Sequence, residues 1–188
     1  MEIFEDKIFE NIDFTTTQLP KGEYESCSFM KCNLSNLDLS HYTFIDSDFN
    51  GCNLSLLKMN NTILRDISFN DCKMIGLQFC DVNTFGLSVS FDNCILNNAS
   101  FFKLKLKKTT FINSKLNEVD FTETDLTESV FSHSDFLGAI FTFSILEKCD
   151  FRNSINYAID PEKNKLKKSK HNLSALGGLL DKYQIVIE

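Results

Sequence analysis

CNLSN at 32–36, SDFNG at 47–51, CNLSL at 52–56, VDFTE at 119–123, TDLTE at 124–128, SDFLG at 134–138 and CDFRN at 149–153 share one pattern: a small residue, a polar one, a large apolar one, then two variable ones. Extended outward from these units, the large position recurs every five residues. It falls at Phe4, Phe9, Phe14, Leu19, Tyr24, Phe29, Leu34, Leu39, Phe44, Phe49, Leu54, Met59, Leu64, Phe69, Met74 and Phe79, and resumes from Phe91 through Phe111 and Phe131 to Phe151. Neither a helix of period 3.6 nor a strand of period 2 keeps every fifth side chain on one side. The backbone must therefore turn a corner once per unit. The position two before each large residue is small in most units (Cys32, Cys52, Ser114, Thr124, Ser134, Cys149). Each unit thus sends one large and one small side chain inward and leaves three positions for solvent.

A motif reiterated over roughly residues 2–156 resembles the pentapeptide-repeat family. The resemblance implies an all-β solenoid, a right-handed quadrilateral β-helix with one pentapeptide per face and four per coil. Residues about twenty apart should then stack. One column becomes an aromatic ladder, Phe9, Phe29, Phe49, Phe69, Phe91, Phe111, Phe131 and Phe151, and the fourth runs Phe4, Tyr24, Phe44, Leu64, Phe85, Leu106, Leu126, Leu146. Between Phe79 and Phe91 the chain spends twelve residues where two units use ten. Seating Phe85 inward takes up one extra residue on each side, so 80–90 reads as a widened coil, with Val82, Asn83, Thr84 and Gly86 as a candidate loop. The solenoid domain is expected over 1–156.

Charge follows the same spacing. Lys108, Glu128 and Lys148 should form one outward row, Lys103 should meet Glu123, Lys105 Asp125, and Asp38 Lys58, each pair fixing register at a few tenths of a kcal/mol. Asp46 over Asp66 runs the other way. Residues 1–160 hold 13 basic and 23 acidic side chains, and 161–188 hold 6 and 3. The overall charge of −7 disfavours direct binding to nucleic acid, whose phosphates call for clustered Lys and Arg. No apolar run approaches the length of a membrane span, and the opening MEIFEDKIFE lacks the basic-then-apolar pattern of a secretory signal. A cytoplasmic location without membrane attachment is the expectation.

Beyond Phe151 the pattern stops. Residues 157–188 read as a polar, basic connector with Pro161, then a capping or dimerisation helix carrying Leu173, Leu176, Leu179, Leu180 and Tyr183, then a brief strand from Gln184 to Ile187. A short C-terminal α-helical cap is predicted despite Gly177 and Gly178. It resembles the C-terminal helix of the topoisomerase-binding members of the family, the Qnr and MfpA types, and so implies a homodimer; a helix folded back over its own last coil in a monomer is the alternative.

No chemistry of catalysis is legible. Six of the seven Cys occupy small inward slots, where a thiol behaves as a compact hydrophobe, and their spacing is not that of a zinc site or a disulfide framework. The string Ser132, His133, Ser134, Asp135 suggests a triad, but His133 should point outward while Ser134 points inward. No catalytic residue, metal site or cofactor site is expected, and the chain is read as a non-enzyme.

Two functions remain. In one, implied by the resemblance, the acidic rod mimics DNA, binds a bacterial type II topoisomerase (gyrase or topoisomerase IV) and protects it from quinolones. About seven and a half coils near 4.8 Å apart would make a rod of about 36 Å. Asp46, Asp48, Asp66, Asp71, Glu118, Glu123 and Glu128 would imitate phosphates. In the other, outward apolar residues (Ile75, Phe102, Ile112, Leu137, Phe143) make a scaffold for another protein.

Overall fold

The computed structural model describes residues 2–186. Residues 2–112 contain short parallel strands on two of the four faces. One sheet joins β1 (Glu2–Glu5), β3 (Gly22–Glu25), β5 (Thr43–Ile45) and β7 (Ile63–Arg65). The other joins β2 (Ile8–Glu10), β4 (Ser28–Met30), β6 (Asp48–Asn50), β8 (Ile67–Asn70), β9 (Val89–Asp92) and β10 (Phe111–Ile112). Pairing is at the twenty-residue spacing, as in Phe9 with Phe29 and Phe29 with Phe49, except between β8 and β9, where it is twenty-two. The other faces and the later coils continue it as single parallel bridges, Asn33 to Asn53 and Lys115 to Asp135 among them. The chain is a β-solenoid.

The ladder fills the centre. Phe111 and Phe131 stack at 5.3 Å between ring centroids, with their planes 16° apart, and both are fully buried. Phe91 to Phe111 and Phe131 to Phe151 repeat the arrangement at 4.8 and 4.7 Å. Offset aromatic stacking of this kind adds to the area each ring buries. The corners have a common backbone solution. The second residue after nearly every large one adopts positive φ, from Lys31 and Asn36 to Glu123, His133 and Lys148, the exceptions being Thr16, Lys21 and Asp81. Asn and Gly suit that conformation best, but charged residues accept it here because the next coil fixes the turn.

The small slot is more than small. Its side chain donates to the carbonyl of the large residue 23 positions earlier: Thr62 to Leu39, Thr124 to Phe101, Ser134 to Phe111, Ser144 to Phe121 and Cys149 to Leu126, at 2.7 to 2.9 Å. A buried carbonyl left without a donor is costly, so Ser, Thr and Cys serve here as tethers between coils.

Several expectations are corrected. Phe85 does not enter the fourth column. Ile63 pairs with Asn83 at the regular spacing and Ile67 with Val89 at twenty-two, so both extra residues lie between Asn83 and Val89. Phe85 is 77% exposed under the Arg65 guanidinium, and Leu87 packs on the core in its place. Of the candidate loop, Val82 is buried and Asn83 is in the bridge, leaving Thr84 and Gly86 to project. Asp125 pairs with Lys107 at 3.2 Å and not with Lys105, its backbone bridge partner.

The boundary at 156 also moves. Residues 157–172 are another coil and not a connector: Lys165 pairs with Ile145 and Lys170 with Asp150. Asn164 takes the small slot and donates to Phe141 O at 2.7 Å, Leu166 packs against the core, and His171 stacks on Phe151. The cap is helical but wound as 3₁₀ over Leu173–Leu179 and Asp181–Tyr183, not as α-helix. Gly178 holds it in place: its carbonyl accepts from Ile159 N–H at 2.8 Å, and a Cβ there would lie 2.0 Å from Tyr157 O. No strand follows among the described residues, since Gln184 turns at φ 51° and Val186 is exposed; Ile187 lies outside the described residues.

Candidate functional site

The string Ser132, His133, Ser134, Asp135 does not assemble as a triad. Ser134 is buried with its hydroxyl spent on Phe111 O, while the exposed His133 meets the neighbouring Ser132 hydroxyl at 2.9 Å. Burial pushes the Cys149 thiol up to about 12, so it is no nucleophile at neutral pH. Among the described residues no group of three or more His, Cys, Asp or Glu is placed to hold a metal ion, and no helix is long and apolar enough to cross a membrane.

The candidate partner-surface carboxylates lie on the outer surface, and the structure separates them. Asp46 and Asp66 share one corner; Asp48 lies on the adjoining face and Asp71 at that face's far corner, because each follows its own column at the twenty-residue spacing. Glu118 and Glu123 turn the two remaining corners, and Glu128 returns to the corner of Asp46 and Asp66 several coils further on.

Their electrostatics divide the same way. Glu123 meets Lys103 at 3.7 Å, and Glu128 meets Lys148 at 2.6 Å and Lys108 at 3.9 Å. Lys148 beside it holds the Glu128 carboxyl below its ordinary pKa. Glu118 accepts from Asn98 at 2.7 Å. Asp48 accepts from the Ser28 hydroxyl at 2.7 Å, and Asp71 accepts from Asn93. Among the described residues every ion pair lies between Lys103 and Lys182. Residues 1–90 carry thirteen acids and six bases, whereas 91–188 carry thirteen of each. The net charge of −7 is thus confined to the N-terminal coils, where no ion pair among the described residues neutralises it locally.

The apolar candidates are unevenly displayed. Leu137 and Phe143 are 59% and 65% exposed, while Ile75, Phe102 and Ile112 are half-buried. On the cap, Leu173 and Tyr183 are well exposed, Leu176 and Leu180 less so, and Leu179 packs inward. Lys182 pairs with Asp160 at 2.7 Å and with Glu162 at 2.6 Å, tying the cap to the last coil.

A parallel solenoid with small and large inward slots at five-residue spacing defines a class, and the sequence comparison supplies the family. A model described as "Pentapeptide repeat region" matches residues 22–88 and 87–158. The chain belongs to the pentapeptide-repeat family. No curated protein matches it. Among solved structures, full-length QnrB1, described as a plasmid-mediated fluoroquinolone resistance protein, is similar at 20% identity and a TM-score of 0.47, covering 98% of this chain and 100% of its own. HetL, described as involved in heterocyst differentiation regulation in Nostoc sp. strain PCC 7120, is similar at 11% identity and a TM-score of 0.46, covering 89% of this chain and 84% of its own.

Proposed function

We propose that this protein is a non-enzymatic, cytoplasmic interaction module whose N-terminal coils offer a DNA-like acidic surface to a bacterial type II topoisomerase. The observation that carries this reading is the confinement of the whole net charge to residues 1–90, on a rod of regular pitch, with the described carboxylates there free of ion pairs. A protein groove built to hold a duplex recognises regularly spaced negative charge. Asp46, Asp48, Asp66 and Asp71 are the phosphate mimics in this reading. Glu123 and Glu128 are demoted because lysines already satisfy them. The Qnr and MfpA types that the sequence resembles point to gyrase and topoisomerase IV as first candidates. Leu176, Leu180 and Tyr183, at 37%, 37% and 55% exposure, suit a two-fold contact that would double the rod.

The test is a gyrase supercoiling reaction with and without a fluoroquinolone. Inhibition or drug protection at micromolar protein supports the proposal. Neither effect, together with capture of another partner that Phe143→Asp abolishes, would favour the scaffold.

A further inference from the structure

The coils join by one repeating scheme, and at the last coil it stops half-finished. Leu146 N–H donates to Lys165 O and Lys165 N–H to Ser144 O, at 2.8 and 3.0 Å; Lys148 and Phe151 donate to Lys167 O and Lys170 O at 2.9 Å. One coil further on, the same scheme would use the N–H groups of Leu166, Lys168 and His171 and the carbonyls of Asn164 and Ser169. Among the described residues none of these has a main-chain partner in another coil. The 3₁₀ cap lies over the other side of the end, where Gly178 meets Ile159 and Lys182 meets Asp160. What stays open among the described residues is a strand edge on two faces, with the half-buried side chains of Leu166 and His171 behind it.

The side chains around that edge select by charge. Lys165, Lys167, Lys168 and Lys170 are all exposed on it; Lys170 reaches Asp150 at 3.7 Å, and no carboxylate lies within ion-pair distance of the other three among the described residues. An exposed edge is a template for an added strand, with main-chain hydrogen bonds giving affinity and alternate side chains giving specificity. We propose that this edge binds an extended acidic protein segment as an additional parallel strand, with an apolar residue over Leu166 and carboxylates over Lys165, Lys167 and Lys168. This is independent of the acidic N-terminal surface.

The probe is a fluorescein-labelled peptide, SEVEDSEFN, followed by fluorescence polarisation on the full chain. Its second residue faces Lys165 and should donate its N–H to Asn164 O, whereas the N–H of its third residue should point away. The peptide is expected to bind, to tolerate N-methylation at the third residue, and to lose binding on N-methylation at the second. Lys165→Glu/Lys167→Glu/Lys168→Glu should weaken it by at least about tenfold and accept the charge-reversed peptide SKVKKSKFN instead, which also shows that the variant is folded. Equal loss from both methylations would reduce the site to unspecific charge and overturn the proposal. So would binding of a labelled DNA duplex in place of the peptide, or peptide binding that appears only after residues 184–188 are removed.

Discussion

The His171 imidazole lies flat on the Phe151 ring, with centroids 5.3 Å apart and planes 6° from parallel, so a histidine forms the last rung of the phenylalanine ladder. Ser169 Oγ donates to Leu166 O, so its oxygen can accept from His171 Nε2–H at 2.9 Å; Nδ1 then accepts from the Tyr157 hydroxyl at 2.9 Å. Both contacts suit a neutral ring.

Burial accordingly holds His171 below its ordinary pKa of about 6.5, with the Asp150 carboxylate pulling weakly the other way. In the unfolded chain the ring takes up its proton near the ordinary value, and in the folded chain only at lower pH. Stability from this group is therefore complete above about pH 6.5 and falls as pH drops below it. His171→Phe keeps the stack and should flatten that part of the pH profile of the denaturation midpoint. An unchanged slope between wild type and variant would show that His171 does not titrate this way.

The interior of the ladder should be far less tolerant than its start. Phe111→Ala removes a fully buried ring stacked on both sides, and a loss of about 3–5 kcal/mol is expected in urea unfolding. Phe9→Ala, at the half-buried first rung, should cost clearly less. Equal losses would argue against coil-by-coil stability.

The tethers in the small slots predict a second ordering. Ser134→Ala leaves Phe111 O without its donor and should cost about 1–3 kcal/mol, although Ala is the right size. Ser134→Cys should recover most of it, since Cys149 makes the same bond to Leu126 O. Thermal unfolding of the two variants checks this; equal destabilisation would deny the hydroxyl its role.

Gly178→Ala tests how the cap is held. A methyl group there meets the Tyr157 carbonyl, so the cap should detach while the coils persist. Faster hydrogen exchange at Ile159 N–H with unchanged exchange at Phe111 is the expected result. An unchanged rate at Ile159 would contradict it.

The solenoid is legible in the sequence because its signal is geometric: a five-residue period has few backbone solutions, and the outward positions can vary without blurring it. The misreadings come from places where size and charge mask position. In 157–172 the outward lysines hide an inward set, Asn164, Leu166, Ser169 and His171, that keeps the spacing with less typical residues. Phe85 reads as inward for its bulk, but a two-residue insertion next to it turns it out beneath Arg65. Leu173, Leu176 and Leu179 are three apart, which is the period of a 3₁₀ helix, where such residues eclipse. The surface is the least legible part, because whether a carboxylate is free depends on lysines twenty residues away, as Glu128 and Lys148 show.

The claim that the N-terminal coils imitate DNA is met most directly by competition: displacement of a labelled duplex from gyrase, measured at fixed salt. Wild type should displace the duplex, Glu118→Gln/Glu123→Gln/Glu128→Gln should match it, and Asp46→Asn/Asp48→Asn/Asp66→Asn/Asp71→Asn should lose about tenfold or more. No displacement by wild type, or displacement equally strong in the Asp variant, would contradict the account.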